Sequence, residues 1–392
     1  MECGDASPLS LVFMFPASKP FDFAAPRYIA FGAGALKQLP EIAAPYPSPL
    51  LLVVGGRSLK ESGGLDAITA WLKKAGKDSV VFSGVEPDPS IETVDRGTEL
   101  CRKEGCRFIV GVGGGSVLDC AKAISGMATN GGSLREYLEG EKAIAKEALP
   151  YLAVPTTSGT GAEATRNAVI TNRQKGYKRS LRHRFLVPAA AIVDPELTLD
   201  LPPALTAACG MDALAQLIEP FVSKKSNPVT DALALAGMEL IGRFLARAVA
   251  NGRDREAREG MSLASLLSGM ALANAGLGLA HALSHPLGSR FGVPHGMGCA
   301  ILLPRVMEFN LSAAPLKLAQ AAEALGVDAA FQGVEWVRKL AREIGIPERL
   351  SQWGVKETDL VALARESLGS SREGNPRPAS DEDCVSLLRL AL

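Results

Sequence analysis

The stretch GVGGGSVLDCAK, from Gly111 to Lys122, follows a strongly apolar run and opens a segment with helical character. Backbone amides in such a turn can hold a pyrophosphate, because glycine lets the main chain approach the anion and the following helix presents its positive end. The string is not a P-loop, and Ser116 interrupts a strict GxGxxG pattern. It predicts a strand, a turn and a helix of dinucleotide-binding type, although a glycine cluster after a strand can also be a plain turn.

Outward from this stretch, short β-rich runs alternate with helical segments through the first half of the chain. Several runs end in glycine or hydroxyl residues, as in VVGGRS and VPTTSGTG. This alternation is typical of a parallel α/β sheet, in which ligands bind at the carboxyl ends of the strands. The predicted strands are Leu50–Val54, Ser79–Val85, Arg107–Val112, Tyr151–Val154 and Ala189–Val193.

The character of the chain changes at the Pro202-Pro203 pair, after which long Ala/Leu-rich segments with few β-branched residues continue to the C-terminus. This half should be almost entirely helical. A chain of 392 residues also exceeds the length that one hydrophobic core usually serves. We therefore expect an α/β plus all-α protein, with a parallel-sheet dinucleotide-binding domain at residues 1–201 and a helical metal and substrate domain at residues 202–392.

The composition is that of a soluble globular protein, with 47% hydrophobic residues, 21% charged residues and a formal net charge of +0. Nucleic acid is therefore not an expected partner. The seven cysteines form no CxxC pair, and their odd number in a long chain favours reduced thiols and a cytoplasmic location. The first twenty residues lack a basic region before an apolar stretch, so we expect no secretion signal.

One uncharged stretch, Ser262–Ala280, has the length of a membrane span. Its Gly, Ser, Ala and Asn content lowers its hydrophobicity, and it runs directly into His281 and His285. We therefore expect a helix buried inside the helical domain and no membrane partner.

Three of the four histidines, His281, His285 and His295, fall within fifteen positions. His281 and His285 are four apart, so on a helix they stand on one face, a spacing that suits metal ligation or a ligand beside an acid/base group. His295 lies in GVPHGMG, a Pro/Gly loop that can fold back towards the same point, and Asp212 and Gln216 add an oxygen-donor pair on another predicted helix. The cluster predicts a metal or catalytic site, although each histidine alone could simply satisfy or cap a helix.

At this point the sequence resembles the iron-containing (group III) alcohol dehydrogenase family, from about Tyr28 to the NPRPASDED segment near the C-terminus. The motifs GGGSVLDCAK, PTTSGTGAEAT, IVDPELTLDLPP, GMDALAQLIE, HALSHPLGSRFGVPHG and NPRP occur in that family's order and at about its spacing. The resemblance implies the dehydroquinate synthase-like fold, with metal, nicotinamide and substrate in a cleft between two domains. It also implies a homodimeric oxidoreductase that transfers hydride between NAD(P)(H) and an alcohol or aldehyde, assisted by one divalent metal, Fe²⁺ or Zn²⁺.

The resemblance carries site roles onto individual residues. The metal positions fall on Asp212, Gln216, His281 and His295, and His285 matches the family's proposed proton-relay histidine, which is not a ligand. The expected cofactor contacts, with pyrophosphate on the first three, are Gly114, Gly115, Ser116, Asp88, Asp119, Thr156, Thr157, Thr160, Val169 and Lys178.

The sequence departs from the family pattern at Gln216, where the family has histidine. An amide oxygen is a weaker donor to iron or zinc than imidazole, so metal affinity should fall, and a site working without metal is conceivable. Asp212, His281 and His295 remain, and three protein ligands leave room for water or a substrate oxygen.

Cofactor choice depends on the turn after the first predicted strand. Family members that use NAD resemble one another in having an acidic residue there, which bonds the ribose 2′-hydroxyl, whereas this chain has Gly56. Arg57 and Ser58 could then hold a 2′-phosphate, so NADP is favoured and NAD stays possible.

Three alternative functions remain open from the sequence. They are a dehydroquinate-synthase-like lyase, a maleylacetate-reductase-like enzyme and a non-catalytic nucleotide-binding relative. The HALSHPLG segment resembles the alcohol dehydrogenases more than either enzyme alternative.

Overall fold

The computed structural model describes residues 20–56 and 58–392, within which six parallel strands form one sheet in the order β1-β8-β5-β4-β2-β3. Two further strands, β6 and β7, form an antiparallel hairpin. The strand bounds are β1 Tyr28–Phe31, β2 Leu50–Val54, β3 Ser79–Phe82, β4 Phe108–Gly113, β5 Tyr151–Pro155, β6 Asn167–Asn172, β7 Tyr177–Arg182 and β8 Ala190–Val193.

Helices cover both faces of the sheet, which explains the continuous apolar runs in its strands. In β2, Leu51 and Val53 pack into a core on one face, and the alternate residues Leu50, Leu52 and Val54 pack into a core on the other. The helices of this half are α1 Leu39–Ala43, α2 Ser58–Glu61, α3 Gly64–Lys74, α4 Ile91–Lys103, α5 Gly115–Asn130 and α6 Leu134–Leu138.

The second half of the chain is helical and packs around its own large apolar core. Its helices are α7 Pro203–Val222, α8 Pro228–Ala250, α9 Arg255–Ala275, α10 Leu279–Phe291, α11 His295–Asn310, α12 Pro315–Ala324, α13 Ala330–Glu343, α14 Leu360–Glu366, α15 Ser370–Gly374 and α16 Asp381–Leu390. Short 3₁₀ turns complete the described elements, at Ala35–Gln38, Ala162–Ala164, Arg184–Leu186, Pro195–Thr198, Leu350–Trp353 and Glu357–Asp359.

The predicted fold class is confirmed: a parallel-sheet α/β region is followed by a helical region. Each of the five predicted strands coincides with an observed strand, to within three residues at the ends. Strand β1 and the β6–β7 hairpin were not predicted from the sequence. The domain boundary at residues 201 and 202 stays a prediction; β8 ends at Val193 and α7 begins at Pro203.

The sequence predicted one buried helix over the uncharged stretch Ser262–Ala280. This prediction is wrong, because the stretch is divided between α9 and α10. Gly276, with φ +75°, follows the last residue of α9, and α10 starts at Leu279 after a bend of 102°. Only glycine adopts this backbone conformation freely, which is why the helix ends there. Among the described residues, no single helix meets the length and hydropathy expected of a membrane span, while α9 and α10 taken together as a bent pair do.

Candidate active site

A cleft of about 1160 Å³ lies between the carboxyl ends of β4 and β5 and the helices α7, α10 and α11. This volume accommodates a dinucleotide together with a small substrate. Of the predicted site residues, the following line it: Asp88, Gly115, Ser116, Asp119, Thr160, Val169, Lys178, Asp212, Gln216, His281, His285 and His295.

The glycine-rich turn after β4 brings the N-terminus of α5 to this cleft. Gly114 precedes the first residue of α5, and a Cβ on Gly115 would lie only 2.6 Å from Cγ2 of Thr160. A side chain at residue 115 would therefore fill the space where the two loops approach each other. The free amides at the start of this 16-residue helix favour an anion, as expected for a pyrophosphate site.

Three predicted contacts in these two turns do not line the cleft: Gly114, Thr156 and Thr157. The backbone N of Thr156 donates to the Gly113 carbonyl at 3.0 Å, and Thr157 lies against Gly114, where a Cβ would be 3.3 Å from its Cγ2. Thr156 and Thr157 thus set the spacing between the β4 and β5 turns. Their roles as cofactor contacts stay predictions.

Asp88 and Lys178 join the loop after β3 to the hairpin. Asp88 has φ 54°, its backbone N donates to Oγ of Ser116 at 3.1 Å, and its Oδ2 lies 2.6 Å from Nζ of Lys178. A positive φ is uncommon for residues other than glycine, and aspartate is among those that tolerate it best. The ion pair holds two predicted cofactor contacts at the cleft wall beside Ser116.

The carboxylate of Asp119 makes a hydrogen bond within the protein, because its Oδ2 accepts from the backbone N of Val169 at 2.9 Å. The neighbouring Lys122 is fully buried, and its Nζ lies 2.7 Å from each of three oxygens, of which one belongs to Thr165. Burial lowers the pKa of Lys122 to about 8 and raises the pKa of the buried Glu163 to about 7. This network, absent from the sequence analysis, holds the loop after β5 against α5.

Gly56 lies at an exposed turn directly after β2, with no other heavy atom within 4 Å of a Cβ built on it. It is not among the residues that line the cleft. Arg57 and the side chain of Ser58 lie outside the described residues, so their predicted contacts with a 2′-phosphate stay predictions.

The three histidines His281, His285 and His295 and the carboxylate of Asp212 on α7 also line this cleft. Oδ1 of Asp212 lies 3.4 Å from Nε2 of His281 and 3.5 Å from Nε2 of His295. Asp212 and Gln216 are on α7 and His281 and His285 on α10, as their four-residue spacings predicted. His295 is not in a loop but opens α11, because Gly292, with φ +66°, ends α10 and Pro294 directly precedes the new helix.

Two atoms of this cluster are buried without a hydrogen-bond partner, Oδ1 of Asp212 and Nε2 of His281. Leaving such atoms unpaired costs about 1–3 kcal/mol each, which makes an orphaned pair that points to one spot unusual. A divalent cation would satisfy both, since carboxylate oxygen and neutral imidazole nitrogen are its common ligands. The residues present therefore fit the metal that the sequence analysis expected.

The side-chain amide nitrogen of Gln216 faces the carboxylate of Asp212. Its Nε2 donates to Oδ2 of Asp212 at 2.9 Å, and its Oε1 accepts from Oγ of Ser268 at 3.1 Å. The opposite amide orientation would set two acceptors against each other, because an ionised carboxylate only accepts hydrogen bonds. Gln216 thus orients Asp212, and its assignment as a ligand stays a prediction.

His285 lies beside the cluster, with its ring stacked 5.7 Å from that of His295 between centroids. Burial, the other two histidines, Lys178 and Arg182 lower the pKa of His285 to about 3. The ring is therefore neutral at physiological pH, as a group that accepts a proton must be.

Two buried residues of the cluster were not singled out by the sequence analysis, Glu219 and Cys299. Oε2 of Glu219 lies 2.6 Å from Nδ1 of His281, and Sγ of Cys299 lies 3.8 Å from Nε2 of His295. Burial raises the pKa of Cys299, but the two histidines bring the pKa below its ordinary value. Helical spacing could have revealed Glu219, which is seven residues after Asp212 on the predicted helix. Cys299 is four residues after His295, where a loop was predicted.

Comparisons with known proteins agree along most of the chain. The family model described as iron-containing alcohol dehydrogenase matches residues 26–195, and that of the C-terminal region of the Fe-containing alcohol dehydrogenase family matches residues 206–392. The chain is 40% identical to 1,3-propanediol dehydrogenase from Citrobacter freundii, covering 95% of this chain and 98% of that protein. It is 36% identical to the NAD-dependent methanol dehydrogenase of Bacillus methanolicus, covering 95% of this chain and 100% of that protein.

Comparison with a solved structure supports the same family at the level of the fold. The crystal structure of a 1,3-propanediol oxidoreductase superposes with a TM-score of 0.91 at 39% identity, covering 95% of this chain and 100% of that one. The chain belongs to the iron-containing alcohol dehydrogenase family, and it is an alcohol dehydrogenase that transfers hydride with a nicotinamide cofactor and a divalent metal.

Proposed function

We propose that this enzyme reduces small aldehydes to alcohols, and oxidises the alcohols in reverse, with NADP(H) preferred over NAD(H). One observation carries the proposal. The convergence of Asp212, His281 and His295 stands in the same cleft as the N-terminus of α5, with the neutral His285 beside it. The names of the similar 1,3-propanediol and methanol dehydrogenases support a small substrate.

Asp212, His281 and His295 would hold the metal, which when bound supplies a Lewis acid that polarises the substrate oxygen. The pyrophosphate of the cofactor would rest on the amides of Gly115 and Ser116. His285 would pass the proton, because it lines the cleft and its ring stacks beside that of His295. No protein nucleophile is needed, since hydride moves between cofactor and substrate.

The preference for NADP(H) rests on Gly56. A carboxylate after the first strand of a dinucleotide-binding unit bonds the ribose 2′-hydroxyl and repels a 2′-phosphate. Gly56 offers no such charge, and the space around it is open. Arg57 and Ser58 follow directly in the sequence and would supply phosphate-binding groups.

We further propose that the enzyme acts in the cytoplasm as a homodimer. The cysteines in the described ranges are free thiols, in keeping with a reducing compartment. The homodimer follows from the family resemblance alone. Light scattering on the eluting protein would test it: a mass near twice 41.1 kDa supports the dimer, and one near 41.1 kDa contradicts it.

The decisive experiment screens purified, metal-analysed protein against aldehydes and ketones with NADPH and with NADH. Net oxidation of NADPH by a simple aldehyde supports the proposal, whereas a lyase of the dehydroquinate synthase type would regenerate its cofactor and show none. Tight NADPH binding without turnover on any carbonyl would instead indicate a non-catalytic relative. An equal or higher kcat/KM with NADH would refute the NADP preference alone.

A further inference from the structure

Cys299 faces the same point as the three predicted metal ligands. The donor atoms of Asp212, His281, His295 and Cys299 all lie within 4.8 Å of one another, and Cys299 is completely buried. Sγ of Cys299 lies 3.8 Å from Nε2 of His295 and 3.5 Å from Oγ of Ser284. The thiol therefore lies within the cluster and also contacts Ser284.

Three separations between these donors are close to the edges of a coordination tetrahedron. Zinc bonds of about 2.1 Å to nitrogen or oxygen and 2.3 Å to sulfur give ligand separations of about 3.4 Å between N and O, and about 3.6 Å between S and N. The observed separations are 3.4 and 3.5 Å from Asp212 to the two histidines and 3.8 Å from Cys299 to His295. Two of the four donor atoms, on Asp212 and His281, are buried and lack any other partner.

Gln216, by contrast, makes hydrogen bonds that keep its oxygen away from this point. Oε1 accepts from Ser268, and Nε2 donates to the oxygen of Asp212 that does not face the histidines. To become a ligand, the amide would have to give up both bonds and turn an acceptor towards a carboxylate. Cys299 needs no such rearrangement.

We propose that Cys299 is the fourth protein ligand of the metal, so that the site is Asp212, His281, His295 and Cys299. The substrate oxygen would then join as a fifth ligand, an expansion that catalytic zinc sites allow. The inference rests on the metal site proposed above. It replaces the ligand expected at residue 216 with a thiolate from α11, one turn after His295. A soft sulfur ligand favours zinc over iron among the available divalent metals.

Cobalt substitution gives the most direct test, because a thiolate bound to Co²⁺ produces an intense charge-transfer absorption in the near ultraviolet that oxygen and nitrogen ligands do not produce. Folded wild-type protein loaded with Co²⁺ should show the band. In Cys299→Ser the band should disappear, and the affinity for Zn²⁺ in chelator competition should fall by more than about a hundredfold, the upper range for removing an outer partner of a ligand. Cys120→Ser removes an equally buried thiol on α5 and should change neither property.

Two results would overturn the inference. One is a folded, Co²⁺-loaded wild-type protein without the band, an outcome that does not depend on any variant folding. The other is a Cys299→Ser protein that keeps both the band and the zinc affinity. In either case, loss of metal in His281→Ala shows that the metal site itself stands, whereas wild-type protein that binds neither Co²⁺ nor Zn²⁺ refutes the metal site as well. Adding Gln216→His to Cys299→Ser should restore zinc affinity without the band, because it returns a nitrogen donor from α7.

Discussion

Oε2 of Glu219 lies 2.6 Å from Nδ1 of His281, and both side chains are buried. The same carboxylate accepts hydrogen bonds from the backbone N of Gly278 at 2.9 Å and of Ala280 at 2.6 Å, at the start of α10. With Nδ1 protonated and donating to Glu219, the lone pair of Nε2 is free to face Asp212 and the metal. Such outer carboxylates fix the tautomer and the ring orientation of metal-binding histidines.

Glu219→Gln should weaken metal affinity by about 10- to 100-fold while leaving the ligands in place. The amide has only one acceptor oxygen, so its NH2 group must face either the backbone N of Ala280 or Nδ1 of His281 and the backbone N of Gly278. The histidine therefore loses its negative partner and part of what orients it. Competition with a chelator measures the change. Glu239→Gln, an exposed substitution on α8, is the matched control. Unchanged affinity in the Glu219 variant would show that the carboxylate only caps α10.

The contact between Gly161 and Gly269 joins the loop after β5 to α9, and it should tolerate no side chain. A Cβ on Gly269 would lie 2.2 Å from the carbonyl oxygen of Gly161, whose own φ is +58°. Gly269→Ala should therefore destabilise the fold by about 1–3 kcal/mol, which for 392 residues lowers Tm by roughly 1 °C for each kcal/mol.

Gly242→Ala is the control, because this exposed glycine on α8 has its nearest neighbour 3.6 Å from a built Cβ. It should stabilise by about 0.5–1 kcal/mol, as alanine does in a helix interior. A Gly269→Ala protein with wild-type Tm would contradict the close approach.

Gly56→Asp should reverse the cofactor preference. A carboxylate at this turn would repel the 2′-phosphate and accept from the 2′-hydroxyl, so the ratio of kcat/KM for NADPH over NADH should fall at least about tenfold, or about 1.4 kcal/mol. Gly56→Asn has nearly the same shape without the charge and should change the ratio much less. An equal change in both variants would mean that the effect is steric.

Glu163 makes stability depend on pH. Its pKa is raised by burial from 4.5 to about 7, so the folded protein holds a proton that the unfolded chain releases between these values. Stability should therefore fall as the pH rises through this window, by about 3 kcal/mol in all. Lys122, with a pKa of about 8, keeps its charge throughout.

Glu163→Gln should remove this fall, so that its free energy of unfolding gains on that of the wild type from pH 4.5 to pH 7. Denaturant unfolding at several pH values measures the difference. Glu141→Gln, at an exposed position, should follow the wild-type profile. Parallel profiles for the wild type and Glu163→Gln would show that Glu163 is ionised in the folded protein across the whole range.

The sequence predicted the parts of the fold that repeat a simple physical pattern. Strands buried on both faces, such as Leu50–Val54, are continuous apolar runs and were recognised. The hairpin strand Tyr177–Arg182 is mostly polar and half exposed, and its sequence is also typical of a surface loop. The break at Gly276 was missed because an isolated glycine inside an apolar helical pattern can be tolerated without ending the helix.

The site was predictable where chemistry and spacing coincide. His281 and His285 stand four apart on one helix, as expected from that spacing. Cys299 was missed because a buried cysteine is ordinary core composition, and its helical spacing from His295 appears only once His295 is known to open a helix and not to lie in a loop. The hydrogen bonds of Gln216 depend on Ser268, 52 residues away, and no local pattern reports them.

We conclude that a metal held by Asp212, His281 and His295 serves hydride transfer while His285 moves the proton. The sharpest test measures metal content together with aldehyde-dependent NADPH oxidation in His281→Ala and in His285→Ala. We expect His281→Ala to lose both the metal and nearly all turnover, and His285→Ala to keep the metal and lose most of its turnover. Full turnover by metal-free His281→Ala protein would contradict it.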